Sequence, residues 1–303
     1  MKPFLLAAAA TAALSLPQTP LLRPDPPHKC FDCDAWNKPY EPFKVFGNTY
    51  YVGADGVSAV LIAGSAGSIL LDAGLPQTAA VIDANVRKLG FKTEDIKLIV
   101  NSHAHYDHAG GINALQRFTG ATVAASAAGK RAIEQGEPTK DDPQFAFGRA
   151  ANAFPAVTSV RAVADGETLR VGDLAITAHL TPGHTPGSTT WSWRSCSGPT
   201  CYDMVYADSL NAVSADSFRF TATPGLVESF KTSIAKVGAL PCDIILSVHP
   251  NNTDMDGKVK KRREQPGADP FVDPNGCRAY AKGAAARLDA RIAEERRSKP
   301  ASR

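Results

Sequence analysis

Beyond Leu16 the chain contains no apolar run long enough to cross a bilayer, so no internal segment is a candidate membrane helix. Net charge is also scarce, with a formal value of +3. So small an excess argues neither for a nucleic-acid partner nor for an anionic membrane surface. There is no internal sequence repeat, so any symmetry between the two halves would be structural only. What the chain does have is apolar material. Of its 303 residues 44% are hydrophobic, enough for a large core. Length alone would allow two domains.

The first residues stand apart. Met1-Lys2 supplies a charged start, the stretch 4–16 is apolar and alanine-rich, and Pro17 and Gln18 follow it. This run is too short to span and has the form of a secretory leader, set at 1–19. Residues 20–35 read as a flexible lead-in, His28 among them, residues 36–297 as a single domain, and 298–303 as a disordered tail. Export places the protein in the periplasm, with no membrane anchor.

Export changes how the cysteines read. Cys30, Cys33, Cys196, Cys201, Cys242 and Cys277 are even in number and meet an oxidising compartment, so disulfides are the default. Six cysteines allow fifteen pairings, which sequence does not resolve. Short spacing favours Cys30 with Cys33 and Cys196 with Cys201, leaving Cys242 with Cys277. Cys30-x-x-Cys33 as a metal or redox motif is the weaker alternative, because no second such pair accompanies it.

Along the chain, strands are expected at 45–52 around a Gly-Asn turn, then at 57–62, 68–71, 96–100 and 122–125. Helices are expected at 78–89 and 111–118, where apolar residues fall near helical spacing. The polar, proline-punctuated stretch 136–155 reads as a long loop. Strands resume at 159–164, 168–171, 174–180, 189–193, 204–206 and 244–248, with helices at 226–237 and 277–295. Strands grouped first and then alternating with helices, in both halves, suggest two packed sheets with helices on their outer faces. The basic run Lys258 to Arg263 reads as a solvated loop.

The densest chemistry is His103-Ala104-His105-Tyr106-Asp107-His108, directly after the apolar strand 96–100. Three imidazoles and a carboxylate in six residues suit borderline divalent metals, above all zinc. Two more histidines have matching surroundings. His184 lies in Thr181-Pro182-Gly183-His184-Thr185-Pro186-Gly187-Ser188, after the strand 174–180, and His249 follows the strand 244–248. Ligands held at strand ends meet at one edge of a sheet sandwich. His179 lies inside a strand and reads as a packed or exposed side chain.

These motifs resemble the metallo-β-lactamase superfamily, on the HxHxDH run, the TPGHTPGS run and the strand end at Asp72. More narrowly the chain looks like a class B β-lactamase of the third subclass. That likeness rests on VFGNTYYVG at 45–53, Tyr206-Ala207-Asp208-Ser209-Leu210, Asp142-Pro143-Gln144-Phe145, and the placement of Cys242 and Cys277. It covers about residues 36–290. The resemblance implies an α/β fold, an αββα sandwich of two mixed β-sheets with helices on the outer faces. It implies two Zn2+ ions, the first on His103, His105 and His184, the second on Asp107, His108 and His249. Ser209 stands where the first subclass has a cysteine ligand.

The implied activity is hydrolysis of the β-lactam amide of penicillins, cephalosporins and carbapenems by a hydroxide shared between the metals, which confers antibiotic resistance. Asp107 would orient that hydroxide or relay its proton. Ser209 would bind the substrate carboxylate, Asn211 stands where relatives have serine or threonine, and Gln144 would assist at the carbonyl. Asp72 would support a histidine ligand. The partner is then a small-molecule β-lactam, and the protein is expected to be a monomer. Two rival readings remain. One is a thioester or lactone hydrolase of the same fold, which uses an aspartate bridging both metals; Asp208 lies next to that position. The other is a metal-storing or metal-sensing protein, which would need closed coordination and no cleft.

Overall fold

The computed structural model describes residues 21–265, 267 and 269–298. The expected leader at 1–19 and all but the first residue of the expected tail at 298–303 lie outside them. The chain folds into two sheets. Strands such as Val60–Ile62, Ser68–Leu71 and Ile244–Ser247 are buried on both faces, while outer strands such as Phe43–Phe46, Val160–Val163 and Thr168–Val171 keep exposed positions. The first sheet runs in sequence order: β1 (Phe43–Phe46), β2 (Thr49–Tyr51), β3 (Val60–Ile62), β4 (Ser68–Leu71), β5 (Ile96–Val100), β6 (Thr122–Ser126) and β7 (Val160–Val163). Its early strands are antiparallel, and β4 to β7 are parallel. The second sheet has the order β12-β11-β10-β9-β8. Its strands are β8 (Thr168–Val171), β9 (Leu174–Leu180), β10 (Thr189–Ser197), β11 (Thr200–Ala207) and β12 (Ile244–Ser247). All neighbours in it are antiparallel except β11 and β12. Both sheets are therefore mixed, as expected.

The helices are α1 (Cys33–Trp36), α2 (Thr78–Lys88), α3 (Tyr106–Ala109), α4 (Ile112–Thr119), α5 (Ala127–Gln135), α6 (Arg149–Asn152), α7 (Leu226–Ala239), α8 (Met255–Glu264) and α9 (Gly276–Arg297). Three apolar layers define the sandwich. Leu71, Val100, Ile176, Trp191, Tyr206 and Leu246 meet between the sheets. Leu70, Ile99 and Val123 turn outward onto Ile82 of α2, Leu115 of α4 and Ile133 of α5. Val205 and Ile245 turn the other way, onto Phe230 of α7 and Leu288 of α9. The two-residue period of a strand produces this split, which is why the parallel strands read as continuous apolar runs.

Several elements differ from the sequence expectations. The basic run forms most of α8 rather than a loop. Arg262 lies 4.3 Å from the centroid of the Phe271 ring and donates to the carbonyls of Lys44 and Val45, so its charge is part of the packing. An unexpected helix, α5, follows β6, its first turn capped by Ser126, whose Oγ accepts from Gly129 N at 3.1 Å. The stretch 136–155 is largely a loop but holds α6 and a short 3-10 turn. The lead-in read as loose makes specific contacts along its described part. His28 exchanges hydrogen bonds with the Gln77 amide at 3.0 Å, and its ring stacks on Tyr106 at 4.1 Å. All three favoured disulfides are formed: Cys30–Cys33, Cys196–Cys201 and Cys242–Cys277. No helix among the described residues is long and apolar enough to cross a membrane.

Candidate metal centre

β4 and β5 are parallel in the first sheet, and β9, β11 and β12 point one way in the second. The bond of Tyr206 to Asp72, with the meeting of His103, His105 and His184, puts their C-terminal ends at one edge of the sandwich. The chain leaves β4 at Asp72, a fully buried aspartate with φ of 57°. A left-handed non-glycine residue costs about 1–3 kcal/mol and persists only where its surroundings hold it. Here its carboxylate accepts from Ser102 N at 2.7 Å, Ser102 Oγ at 2.6 Å, Asn101 Nδ2 at 3.0 Å and Tyr206 OH at 3.0 Å. Asp72 thus ties the ends of β4, β5 and β11 together. Its nearest approach to the histidines is 3.8 Å, to His108 Nδ1, so it acts mainly through the backbone that carries them. Burial pushes its carboxyl up to about 6 against the pull of His108 and those hydrogen bonds.

The HxHxDH run leaves β5 and winds into the single turn of α3. Gly110 and Gly111 are required where α3 crosses the end of β4. A Cβ on Gly110 would lie 2.3 Å from the Tyr106 carbonyl, and one on Gly111 2.3 Å from the Ala73 carbonyl. His184 comes from the tight turn after β9, closed by Thr181 N to Ser188 O at 2.8 Å. His249 follows β12.

These elements bring donor atoms of His103, His105 and His184 within 4.8 Å of one another, and likewise those of His103, Asp107 and His108. The first group matches the expected first set. The second expected set, Asp107, His108 and His249, is joined less tightly. His249 Nε2 stands 3.5 Å from Asp107 Oδ2, and its ring lies edge-on to His108 with centroids 4.8 Å apart. His103 lies between the two groups.

Four of the five imidazoles have one nitrogen fixed from behind. His103 Nδ1 faces Asp208 Oδ1 at 2.6 Å, and His105 Nε2 faces Asp142 Oδ2 at 3.2 Å. His184 Nδ1 faces the Asn211 carbonyl at 2.8 Å, and His249 Nδ1 faces the Gly56 carbonyl at 2.9 Å. Each acceptor holds the proton on the rear nitrogen and leaves the other bare, the arrangement that orients metal-binding imidazoles. His108 is different. It is fully buried, and neither ring nitrogen has a hydrogen-bond partner among the described residues, although Asp107 Oδ2 stands 3.2 Å from Nε2. An unmet buried polar atom costs about 1–3 kcal/mol. A cation held by His108 and its neighbours removes that deficit, so the donor set fits a metal ion.

The electrostatics are divided: burial lowers His103, His184 and His249, whereas at His105 and His108 burial is outweighed by nearby aspartates, which raise them. Asp72, Asp107, Asp142 and Asp208 are all buried around the cluster. Burial works to raise Asp107, but the charges of His108 and His249 outweigh it and hold its carboxyl well below the usual range. Burial and crowding by His105 depress His184 to about 4, so that its imidazole is neutral and able to ligate at neutral pH. Nitrogen and oxygen donors in this mixture suit zinc.

The structure separates the other expected site residues. Ser209 is buried directly after Asp208 at the end of β11. Asn211 reaches the cluster through its carbonyl, on His184, while its side-chain Oδ1 is buried without a partner among the described residues. Gln144 is half-buried, and its backbone N–H donates to Asp142 Oδ1 at 2.8 Å. His179 pairs with Ser192 Oγ at 2.7 Å within the second sheet. Sequence reasoning missed Asp142 as a partner of His105, and it noted Asp208 only as lying next to the position of a bridging aspartate. With one oxygen on His103 Nδ1, Asp208 stands behind that histidine instead.

An αββα sandwich with a cluster of histidines and aspartates able to hold metal at one sheet edge defines a class, and the comparisons agree with it. The family model of the metallo-beta-lactamase superfamily matches residues 52–196. The solved Rm3 metallo-beta-lactamase is 44% identical, with a TM-score of 0.85 over 89% of this chain and 100% of that one. MEM-A1, a subclass B3 metallo-beta-lactamase isolated from a soil metagenome library, is 48% identical with a TM-score of 0.83, over 87% of this chain and 100% of that one. BJP-1, a subclass B3 metallo-beta-lactamase of Bradyrhizobium japonicum, is 34% identical with a TM-score of 0.79, over 88% and 98%. A curated hydroxyacylglutathione hydrolase of Anaeromyxobacter dehalogenans (strain 2CP-C) is 29% identical over 203 residues, which are 66% of this chain and 62% of that protein. The chain belongs to the metallo-β-lactamase superfamily and, within it, to subclass B3.

Proposed function

We propose that this protein is an exported, monomeric, zinc-dependent hydrolase of the β-lactam amide bond, active on penicillins, cephalosporins and carbapenems. The observation that carries the reading is the convergence of His103, His105 and His184 beside Asp107 and His108, in a fold shared with the Rm3 metallo-beta-lactamase at 44% identity and the subclass B3 enzyme MEM-A1 at 48%. His103, His105 and His184 would hold one zinc, and Asp107, His108 and His249 a second. Zinc bound there supplies a water of lowered pKa, near neutrality, and polarises a carbonyl.

The remaining work falls to the chain. Asp142, Asp208 and the carbonyls of Asn211 and Gly56 hold four imidazoles with one nitrogen bare. Asp107, with Oδ2 3.2 Å from His108 Nε2 and 3.5 Å from His249 Nε2, would orient the attacking water or relay its proton. Ser209 and Asn211 lie on the segment after β11 and are assigned to the substrate carboxylate, and Gln144 to the rim near His105. The rival is a thioester hydrolase such as the hydroxyacylglutathione relatives; the engagement of Asp208 with His103 speaks against an aspartate bridging two metals. The test is parallel assay of the purified protein on nitrocefin and on a hydroxyacyl thioester, each with and without EDTA. Chelator-sensitive nitrocefin turnover that exceeds thioester turnover supports the reading. Thioester turnover alone replaces it.

A further inference from the structure

The segment after β11 has no regular secondary structure from Asp208 to the short 3-10 turn at Phe220–Ala222, and it carries Ser209 and Asn211. Free loops of this length are mobile unless tied. Here the ties come from the far end of the molecule, the last turns of α9. Glu295 is only 3% exposed. Its carboxylate accepts from Phe220 N at 3.0 Å, Thr221 N at 2.9 Å, Thr221 Oγ1 at 2.9 Å and Arg291 Nε at 2.9 Å. Arg291 then reaches into the loop, donating through Nη2 to Ser214 Oγ at 2.7 Å and to the Phe218 carbonyl at 3.3 Å.

From that anchor the loop touches the metal cluster at two places. The Asn211 carbonyl holds His184 Nδ1. Ala215 N donates to the Pro143 carbonyl at 3.0 Å, beside Asp142, which faces His105. One backbone bond thus joins the loop after β11 to the Asp142–Gln144 loop. A guanidinium that bonds a buried carboxylate on one edge and the loop on the other is a rigid strut, because its donors are fixed in a plane.

We propose that Arg291 and Glu295 are positioning residues that hold the loop carrying Ser209 and Asn211 against the metal cluster, and thereby set how tightly substrate is held. The proposal rests on the reading of the cluster as a β-lactam hydrolysis site. Neither residue touches a metal ligand, so their loss is expected to act on substrate binding before it acts on turnover.

The test compares Arg291→Ala, Arg291→Lys and Ser214→Ala in the zinc-loaded protein. For Arg291→Ala, KM for a cephalosporin is expected to rise about fivefold or more, with kcat within about twofold and zinc content unchanged, the signature of lost binding common to ground and transition states. Arg291→Lys can reach Ser214 or Glu295 but not both, and is expected to fall between. Ser214→Ala leaves the Arg291–Glu295 pair in place, so it decides the matter if Arg291→Ala fails to fold; its KM should rise in the same sense. A lower melting temperature with wild-type KM in these variants overturns the proposal and leaves a merely structural role. Loss of zinc together with kcat overturns it too. If the wild type hydrolyses no β-lactam, the functional reading fails separately. Hydrogen exchange at Ala215 N–H then decides the strut: lost protection in Arg291→Ala supports it, and unchanged protection overturns it.

Discussion

At the scale of single residues, the proposed ligands announce themselves and their supports do not. His103, His105, Asp107 and His108 sit within six residues, and His184 and His249 each follow a legible strand. Asp142 lies 37 positions from His105 in an irregular loop, and only folding puts its carboxylate at 3.2 Å from Nε2. No local pattern encodes that meeting. Its effect is open to measurement. Asp142→Ala should weaken zinc binding at the His103–His105–His184 group by about 10–100-fold, the usual cost of losing such a partner, while Asp142→Asn keeps an acceptor and should lose less. Competition with a chromophoric chelator reads this directly, and equal affinity in all three proteins would remove Asp142 from the account. His249 tests the second group. It meets that group through Asp107 at 3.5 Å and is the most exposed of the five histidines. His249→Ala is therefore expected to lower zinc stoichiometry from two per chain to one and leave the first group loaded. A variant that still binds two, or none, would contradict the division into two sets.

At the scale of elements, strands were more legible than helices because strands such as β3, β4 and β12 are buried on both faces as continuous apolar runs, while β8 and β9 alternate buried and more open positions. The misread elements are those in which charge is part of the packing. Arg262 gives α8 its hold on Phe271, and a reading by hydropathy sees only a basic run. Helix α5 is bounded by Ser126 at its start and Gly136, in the left-handed conformation, at its end, which are signals of type rather than of hydrophobicity. The Cys242–Cys277 bridge joins the segment before β12 to the start of α9 across 35 residues. Loop-closure entropy makes such a bridge worth about 4 kcal/mol. Replacing both cysteines with serine should lower the melting temperature by about 10 °C, since about 1 kcal/mol shifts a domain of this size by about 2–4 °C. Activity at 25 °C should be kept, because Tyr280, one turn further along α9, keeps its own hydrogen bond to the Asp208 carbonyl at 2.8 Å. Calorimetry and a nitrocefin assay on the same sample check both halves of the claim.

At the scale of the whole molecule, parallel strand direction is what turns a sandwich into a site: β4 and β5 from one sheet, and β9, β11 and β12 from the other, end on one edge. Among the described residues of the cluster, that arrangement leaves no serine poised as a nucleophile; the Ser192–His179 pair lies within β10 and β9 of the second sheet. Ser102 brings its hydroxyl to 3.5 Å from His103 Nδ1, but it donates to Asp72 at 2.6 Å and is only 1% exposed. His103 Nδ1 itself is held by Asp208 at 2.6 Å, and His184 Nδ1 by a carbonyl, so neither rear nitrogen is free to act as a serine's base. Covalent trapping of the kind that clavulanate performs on serine enzymes therefore has no target here. EDTA is expected to abolish β-lactam hydrolysis and added zinc to restore it, whereas clavulanate at concentrations that silence a serine β-lactamase control should leave the rate within about twofold. Carbapenem turnover is expected under the same conditions, since the attack would not pass through an acyl-enzyme that a carbapenem could stall. Activity that outlasts EDTA, or that clavulanate blocks, would refute a metal-based mechanism. Failure on carbapenems alone would refute only the breadth of the substrate range, and would direct attention to Asn211 and Gln144, the two proposed substrate-binding positions whose side chains the cluster does not itself fix.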